Sequence, residues 1–351
     1  MKKLGRYHGI GLLGLLLGLV LFGVLVYRTG PATIIESIRL CGPAFALLIP
    51  LSALRHVFRT IAWNLCIPVA SRRVSFVDLF GMRVAAEALA GLTFAGPLLG
   101  ESAKAYAVSR RLSTADSLSS IVVENLVYTL SVVLFVASGI LLLLIEVTLP
   151  DQARVATVLF GVALALPVLA AVIVIRRRSA PLSAVIAALR SRGIAVRFAE
   201  TREAKIRAFE QQVVGFYGAD RGRFVAVLGL ELLACMPGIV EAYIILAVTT
   251  NQSTLLAAFL TESTFRAVNA VFLFLPLRVG VDEGGAALTL SALGFTAAAG
   301  VSLAIIRKIR TLFWIAVGLL LLGRYSFEQP GRGRPAGGEP RLSKPNEVPE
   351  Q

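Results

Sequence analysis

Long apolar runs separated by short polar links recur along the whole chain. They predict membrane-spanning helices near 10–27, 43–67, 78–96, 117–146, 154–175, 224–249, 255–275 and 301–323, since a helix needs about 20 mostly apolar residues to cross a bilayer. Two further apolar stretches, 98–109 and 284–299, are too short or too glycine-rich for ordinary spans. They read as half-helices or re-entrant segments, which membrane depth tolerates only when they are packed inside protein or line a wet cavity. The predicted fold class is all-α: a polytopic integral membrane protein with about eight full transmembrane helices, two broken segments and an inverted repeat. The first run, "IGLLGLLLGLVLFGVLV", follows a basic "MKKLGRYH" with no small-x-small cleavage site after it, and is read as a span rather than a removed signal.

Polar segments divide this membrane domain, residues 1–327. The longest, 176–223, is rich in Arg, which places it in the cytoplasm. Within it Ile206, Phe209, Val213 and Phe216 share one helical face while Glu203 and Arg207 pair on the other, predicting an amphipathic connector on the membrane surface or under the bundle. Residues 328–351 combine Pro, Gly and charge with almost nothing to bury, and read as a disordered cytoplasmic tail.

Composition agrees with the pattern: of 351 residues 56% are hydrophobic and 16% charged, with mean hydropathy +0.78. The net charge of +14 does not imply a nucleic-acid partner, because the basic residues sit mostly in links and tails, where the positive-inside rule collects them. Cys41, Cys66 and Cys235 are far apart, and His8 and His56 have no partner at ligand spacing, so neither a disulfide framework, a metal nor a cofactor is predicted.

The segment "FAGPLLGESAKAYAVSRR", 94–111, interrupts the apolar pattern and has a counterpart in the second half. Glu87 precedes Pro97 by ten residues, and Arg266 precedes Pro276 by ten, an offset of 179. Gly100-Glu101 after the first proline finds a looser match in Gly280, Asp282 and Glu283, and a long helix follows each, carrying Glu124 and Arg307 respectively. This predicts repeats at about 72–146 and 254–323. Arg72 and Arg73 start the first copy in the cytoplasm, Arg110 and Arg111 return it there, and the uncharged "TTNQS" link starts the second copy outside. The copies then have opposite orientation, related by a pseudo-two-fold axis in the membrane plane, with both termini cytoplasmic. On this count Arg307, Lys308 and Arg310 fall near the outer end of the last span, against the usual charge bias.

An ionisable residue in the bilayer core costs on the order of 2.5–3.5 kcal/mol on insertion scales and normally faces the bundle interior or a polar cavity. The candidate residues of this kind are Arg55, Arg59, Glu87, Glu101, Lys104, Glu124, Glu262, Arg266, Asp282, Glu283 and Arg307, together with the breaks at Gly100, Pro276 and Gly280. Any one of them is as readily explained by pairing across helices. The paired breaks point further, since a freed backbone is costly unless it lines a site. A half-helix beginning after Pro97 offers N–H groups to an anion, and Lys104, Arg55, Arg59, Arg266 and Arg307 add full charges. A phosphate-bearing lipid head group is the natural candidate; the glutamates are suited to an amine on it, or to protons. No G-x-S-x-G, H-E-x-x-H or P-loop supports covalent catalysis.

"PLLGESAKAYAVSRR", "SLSSIVVENLVYTL" and "FLPLRVGVDEGGAALTLSALGFTAAAGVSLAIIRKIRTLFW" resemble the transmembrane domain of lysylphosphatidylglycerol synthases, the flippase-like domain family, over roughly residues 8–325. In full-length synthases this domain is joined to a soluble aminoacyl-transferase domain; the short polar tail here implies the translocating part without the synthase. The resemblance implies a lipid flippase of the bacterial inner membrane whose partners are membrane lipids. The alternatives are a scaffold or accessory protein for enzymes of envelope-lipid or hopanoid synthesis, and an intramembrane head-group transferase. It also carries Gly100, Glu101, Pro276, Gly280, Glu283 and Arg307 onto family positions, with two departures: Lys104 and Asn125 stand where Arg is usual. Lys keeps charge without the bidentate phosphate geometry of guanidinium, and Asn125 removes a charge.

Overall fold

The computed structural model describes residues 31–69, 74–93, 96–176, 221–272, 275–278 and 280–327. The expected first span, most of the 176–223 connector, the tail, and Arg72 and Arg73 lie outside them. The described residues form helices α1 Pro31–Cys41, α2 Ala44–Cys66, α3 Phe76–Leu92, α4 Gly96–Ser109, α5 Thr114–Glu146, α6 Asp151–Arg176, α7 Arg221–Leu233, α8 Met236–Thr250, α9 Leu255–Val271, a single 3-10 turn Pro276–Arg278, α10 Val281–Ala292 and α11 Ala297–Phe327, with no strand among them.

Polar caps punctuate the apolar runs. Ser75 Oγ accepts the Asp78 N–H at 3.1 Å to open α3, Ser113 Oγ accepts the Asp116 N–H at 3.1 Å to open α5, and Thr254 Oγ1 accepts the Ala257 N–H at 3.0 Å to open α9. Each satisfies an orphan amide of a first helical turn.

By length and apolarity, four stretches of the described residues suffice to cross a membrane: Ala44–Cys66, Thr114–Glu146, Asp151–Ala170 and Arg221–Thr250. Three sequence expectations shift. The 224–249 span is interrupted by a turn at Ala234–Cys235 that divides α7 from α8; Pro237 stands at the start of α8, a position proline tolerates. The expected spans at 78–96 and 255–275 become α3 and α9, each 17 residues, about 25 Å at 1.5 Å per residue, short of a roughly 30 Å hydrocarbon core. The half-helix placed at 284–299 is α10, which ends at Ala292, and the last helix already starts at Ala297.

Two three-helix units have the same plan. A 17-residue helix, a break, a short helix of 14 or 12 residues and a long helix of 33 or 31 residues follow each other as α3–α4–α5 and α9–α10–α11. The units interlock, with α11 packed extensively along α3 and α5 against α9, while α2, α7 and α8 complete the bundle. Leu277 of the second break is buried in one apolar cluster with Ala88 and Leu92, at the end of α3 just before the first break, and with Leu312, Ile315 and Leu319 of α11. The two breaks therefore meet. Helix α6 packs chiefly against α5, and its apolar window has no residue buried among the described residues.

Candidate functional site

The intramembrane charges gather into two networks, each built around a long helix. In the first, the fully buried Glu124 of α5 accepts Arg83 Nη2 at 2.7 Å, Lys104 Nζ at 2.8 Å and Arg59 Nη2 at 3.2 Å. Arg59 also lies 3.3 Å from Glu231 of α7 and 3.5 Å from Glu87 of α3, and Glu87 meets His56 Nδ1 at 3.3 Å. Lys104 reaches Glu101 at 3.0 Å, one turn back on α4. Aromatic faces lie against the cations: Trp63 sits 4.9 Å from Lys104 and 5.7 Å from Arg83, and Tyr128 sits 4.0 Å from Arg59. Removed from water, each of these charges needs a partner to be tolerable, and a quadrupolar ring face adds attraction.

In the second network the signs are exchanged. Arg307 of α11 pairs with Glu262 of α9 at 2.8 Å and approaches Glu241 of α8 at 3.9 Å, and it donates to the Gly238 carbonyl. Arg266 holds Glu262 at 2.8 Å, Arg310 pairs with Glu241, and Lys308 with Glu283. Arg307 packs 4.7 Å from the Phe265 ring and Arg266 5.3 Å from Phe135. Gly238 leaves room for the Glu262 carboxylate, which a Cβ there would overlap and push aside.

The exchange of sign is systematic. The eighth and twelfth residues of the 17-residue helices are Arg83 and Glu87 in α3, and Glu262 and Arg266 in α9. The eleventh residue of the long helices is Glu124 in α5 and Arg307 in α11. At the same 179-residue offset that relates Glu87 to Arg266, Lys104 falls on Glu283. Lys104 and Glu283 each bond to a charge on the following long helix, Glu124 and Lys308 respectively.

The geometry of the two breaks differs from what the sequence suggests. Helix α4 starts at Gly96, so Gly100 is an interior residue; its missing Cβ allows α4 to approach Ala86 and Ala90 of α3, with 2.9 Å to each if one were added. At the second break Leu277 and Arg278 both adopt positive φ, 47° and 43°, at a cost of roughly 1–2 kcal/mol per residue. Burial of Leu277 and the bridge from Arg278 to Asn269 at 2.7 Å and Asp282 at 3.2 Å hold that geometry. Pro276 opens the turn, and Gly280, at φ 88°, supplies the left-handed residue before α10. The Gly280 amide donates to Glu283 at 2.8 Å, so the positive end of α10 is occupied by the chain's own carboxylate.

Among the predicted residues, Arg59, Glu87, Glu101, Lys104 and Glu124 come together in the first network and Glu262, Arg266 and Arg307 in the second, while Glu283 pairs with Lys308 beside it. Asp282 belongs to the staple across the second break. Arg55, half-buried midway along α2, makes no ion pair among the described residues. Arg307, Lys308 and Arg310, at odds with the charge bias, are 5–8% exposed and paired. Sequence reasoning missed Arg83, Glu231 and Glu241. Arg83 was signalled by its i, i+4 spacing to Glu87, whereas Glu231 and Glu241 are lone acids in an apolar run, visible as a site only through their partners on other helices.

A groove of about 500 Å³ lies beside the second network, between α5, α6, α9 and α10, lined by Val136, Phe160, Ala267 and Val271 with Ser263 and Thr264 at its wall. Ser263 is adjacent in sequence to Glu262, so apolar room and buried charge occupy neighbouring faces of α9.

No curated protein and no solved structure matches the chain. The profile of the lysylphosphatidylglycerol synthase transmembrane region matches residues 11–318, a match that takes in α1 through α10 and most of α11. The protein belongs to the lysylphosphatidylglycerol synthase transmembrane-region family, membrane proteins of lipid-related processes.

Proposed function

We propose that the protein moves a polar lipid between the leaflets of the bacterial inner membrane, taking the head group at the two charge networks and passing it by relative movement of two repeats of opposite orientation. The observation that carries this reading is the juxtaposition of the breaks at Leu92 and Leu277, each followed by a short helix that pairs Lys104 or Glu283 with a charge on the next long helix. A break within a membrane domain, followed by a short helix, suits a head-group site that either face of the bilayer can reach. Glu87 and Glu101, with side chains 34% and 39% exposed, are the open edge of the first network, and the apolar groove beside α9 gives acyl chains a place next to the charges.

The test is sidedness. Proteoliposomes carrying lipids labelled on the head group should lose fluorescence from the inner leaflet to dithionite faster than protein-free vesicles, and Glu101→Gln should slow that loss. Glu101 is chosen because Lys104 keeps Glu124 as a partner without it. If wild-type and protein-free vesicles behave alike across several lipid classes, while partner enzymes co-purify with the chain, the protein is a scaffold. Turnover of a lipid substrate in detergent would instead make it a head-group transferase.

A further inference from the structure

The groove beside α9 has a filled counterpart in the other half of the molecule. At the 179-residue offset that relates Glu87 to Arg266, Leu277 corresponds to Leu98. Ala88 and Leu92, which pack on Leu277, correspond to Ala267 and Val271, and Ile315 and Leu319 of the same cluster correspond to Val136 and Ile140. All four counterparts line the groove. The remaining member around Leu277, Leu312, corresponds to Val133, buried about one turn before Val136 on α5.

Two glycine contacts show that this correspondence is spatial as well as numerical. A Cβ on Gly139 of α5 would strike Ser263 of α9, and a Cβ on Gly318 of α11 would strike Val84 of α3. Gly139 and Gly318 are separated by the same 179 residues as Val84 and Ser263. The offset therefore relates α3 to α9 and these parts of the long helices, although α11 begins about one turn later than it would place it.

The walls match, but their contents differ. Leu277 is 6% exposed within its cluster, whereas Leu98 is 75% exposed and the matching space of about 500 Å³ stands open. The short helices differ accordingly: α10 lies chiefly along α11, while α4 lies chiefly along α3 and less on α5. A void between packed helices forfeits contacts from the residues that line it, and its walls are of the same apolar kind that hold Leu277. Val271 and Val136 stand where Leu92 and Ile315 stand in the filled cluster, so the open side has no less room for a leucine.

We infer that the groove is the empty socket of Leu98, and that the protein has a second conformation in which α4 shifts to dock Leu98 there while Leu277 leaves its cluster. This rests on the reading above of two repeats of opposite orientation, since repeats with matching walls can exchange conformations and so turn the site toward the other leaflet. The glycine contacts, alike in both halves, persist through the exchange. Docking of Leu98 also clears an acyl chain from the groove, which links release of lipid to the change of state.

The test is disulfide trapping of the full chain in membranes. Leu98→Cys combined with Val271→Cys should give an intramolecular bridge on oxidation, mapped by mass spectrometry of the digested protein, and either single variant should lack it. Leu92→Cys with Leu277→Cys should bridge from the described state under the same oxidant. Ala267→Phe, which fills the socket, should abolish the Leu98–Val271 bridge without lowering thermal stability, whereas Ala88→Phe in the filled cluster should lower it. Absence of the Leu98–Val271 bridge in a chain that unfolds like wild type overturns the socket. So does a bridge that survives Ala267→Phe, or equal destabilisation by the two phenylalanines. Bridging without lipid exchange would remove translocation and leave the socket, whereas exchange of labelled lipid unaffected by Ala267→Phe would do the reverse.

Discussion

Glu124 and Glu101 show how much environment decides the worth of a charge. Glu124 is fully buried and shared by Arg83, Lys104 and Arg59, whereas Glu101 lies 39% exposed at the rim with one partner. Removing one member of a buried pair costs roughly 3–5 kcal/mol because the others are left uncompensated, while an exposed pair contributes about 0–1 kcal/mol. Thermal unfolding in detergent should therefore show a large loss for Glu124→Gln and almost none for Glu101→Gln; losses of equal size would contradict the described burial. Gly238→Ala should behave like the first, since its Cβ would displace the Glu262 carboxylate from Arg307 and Arg266. Much of this site is legible in the sequence, because a charge in an apolar run is conspicuous wherever it falls. What the runs do not reveal is sharing: that Glu231 belongs with Arg59 of α2, or Glu241 with Arg310 of α11, depends on helix packing across long separations in the chain. The polar links alone also made Gly100 look like a free helix end, when its use is close packing on α3.

The broken helices show where a hydrophobic pattern is informative and where it is silent. The breaks after α3 and α9 carry Gly, Pro and charge and can be read directly, but the turn at Ala234–Cys235 lies inside a nearly unbroken apolar run, with only Pro237 to mark it. Leu277 and Leu92 meet in one cluster, so cysteines placed at both positions and bridged by a short thiol crosslinker should hold the two breaks together and stop lipid exchange, with either single cysteine variant retaining it. Exchange that continues in the bridged protein would show that the breaks do not move relative to each other. Helix α6 makes the opposite prediction: Leu159 and Leu166 are more than half exposed on a helix with no buried window, and their replacement by Ala should change stability by no more than about 0.5 kcal/mol.

Across the whole molecule, two three-helix units carry opposite charges at matched places: Arg83 against Glu262, Glu87 against Arg266, Lys104 against Glu283 and Glu124 against Arg307. Neither unit satisfies its charges alone: Arg59 of α2 and Glu231 of α7 join the first network and Glu241 of α8 holds Arg310 in the second, so the helices outside the units tie both networks to the rest of the bundle. The most direct test of the proposed translocation is the rate at which head-group-labelled phospholipid leaves the inner leaflet of proteoliposomes, compared among protein-free vesicles, wild-type protein and Glu101→Gln. The account predicts fast exchange with wild-type protein and slower exchange with Glu101→Gln at equal reconstitution. Exchange no faster with wild-type protein than without it would contradict translocation itself.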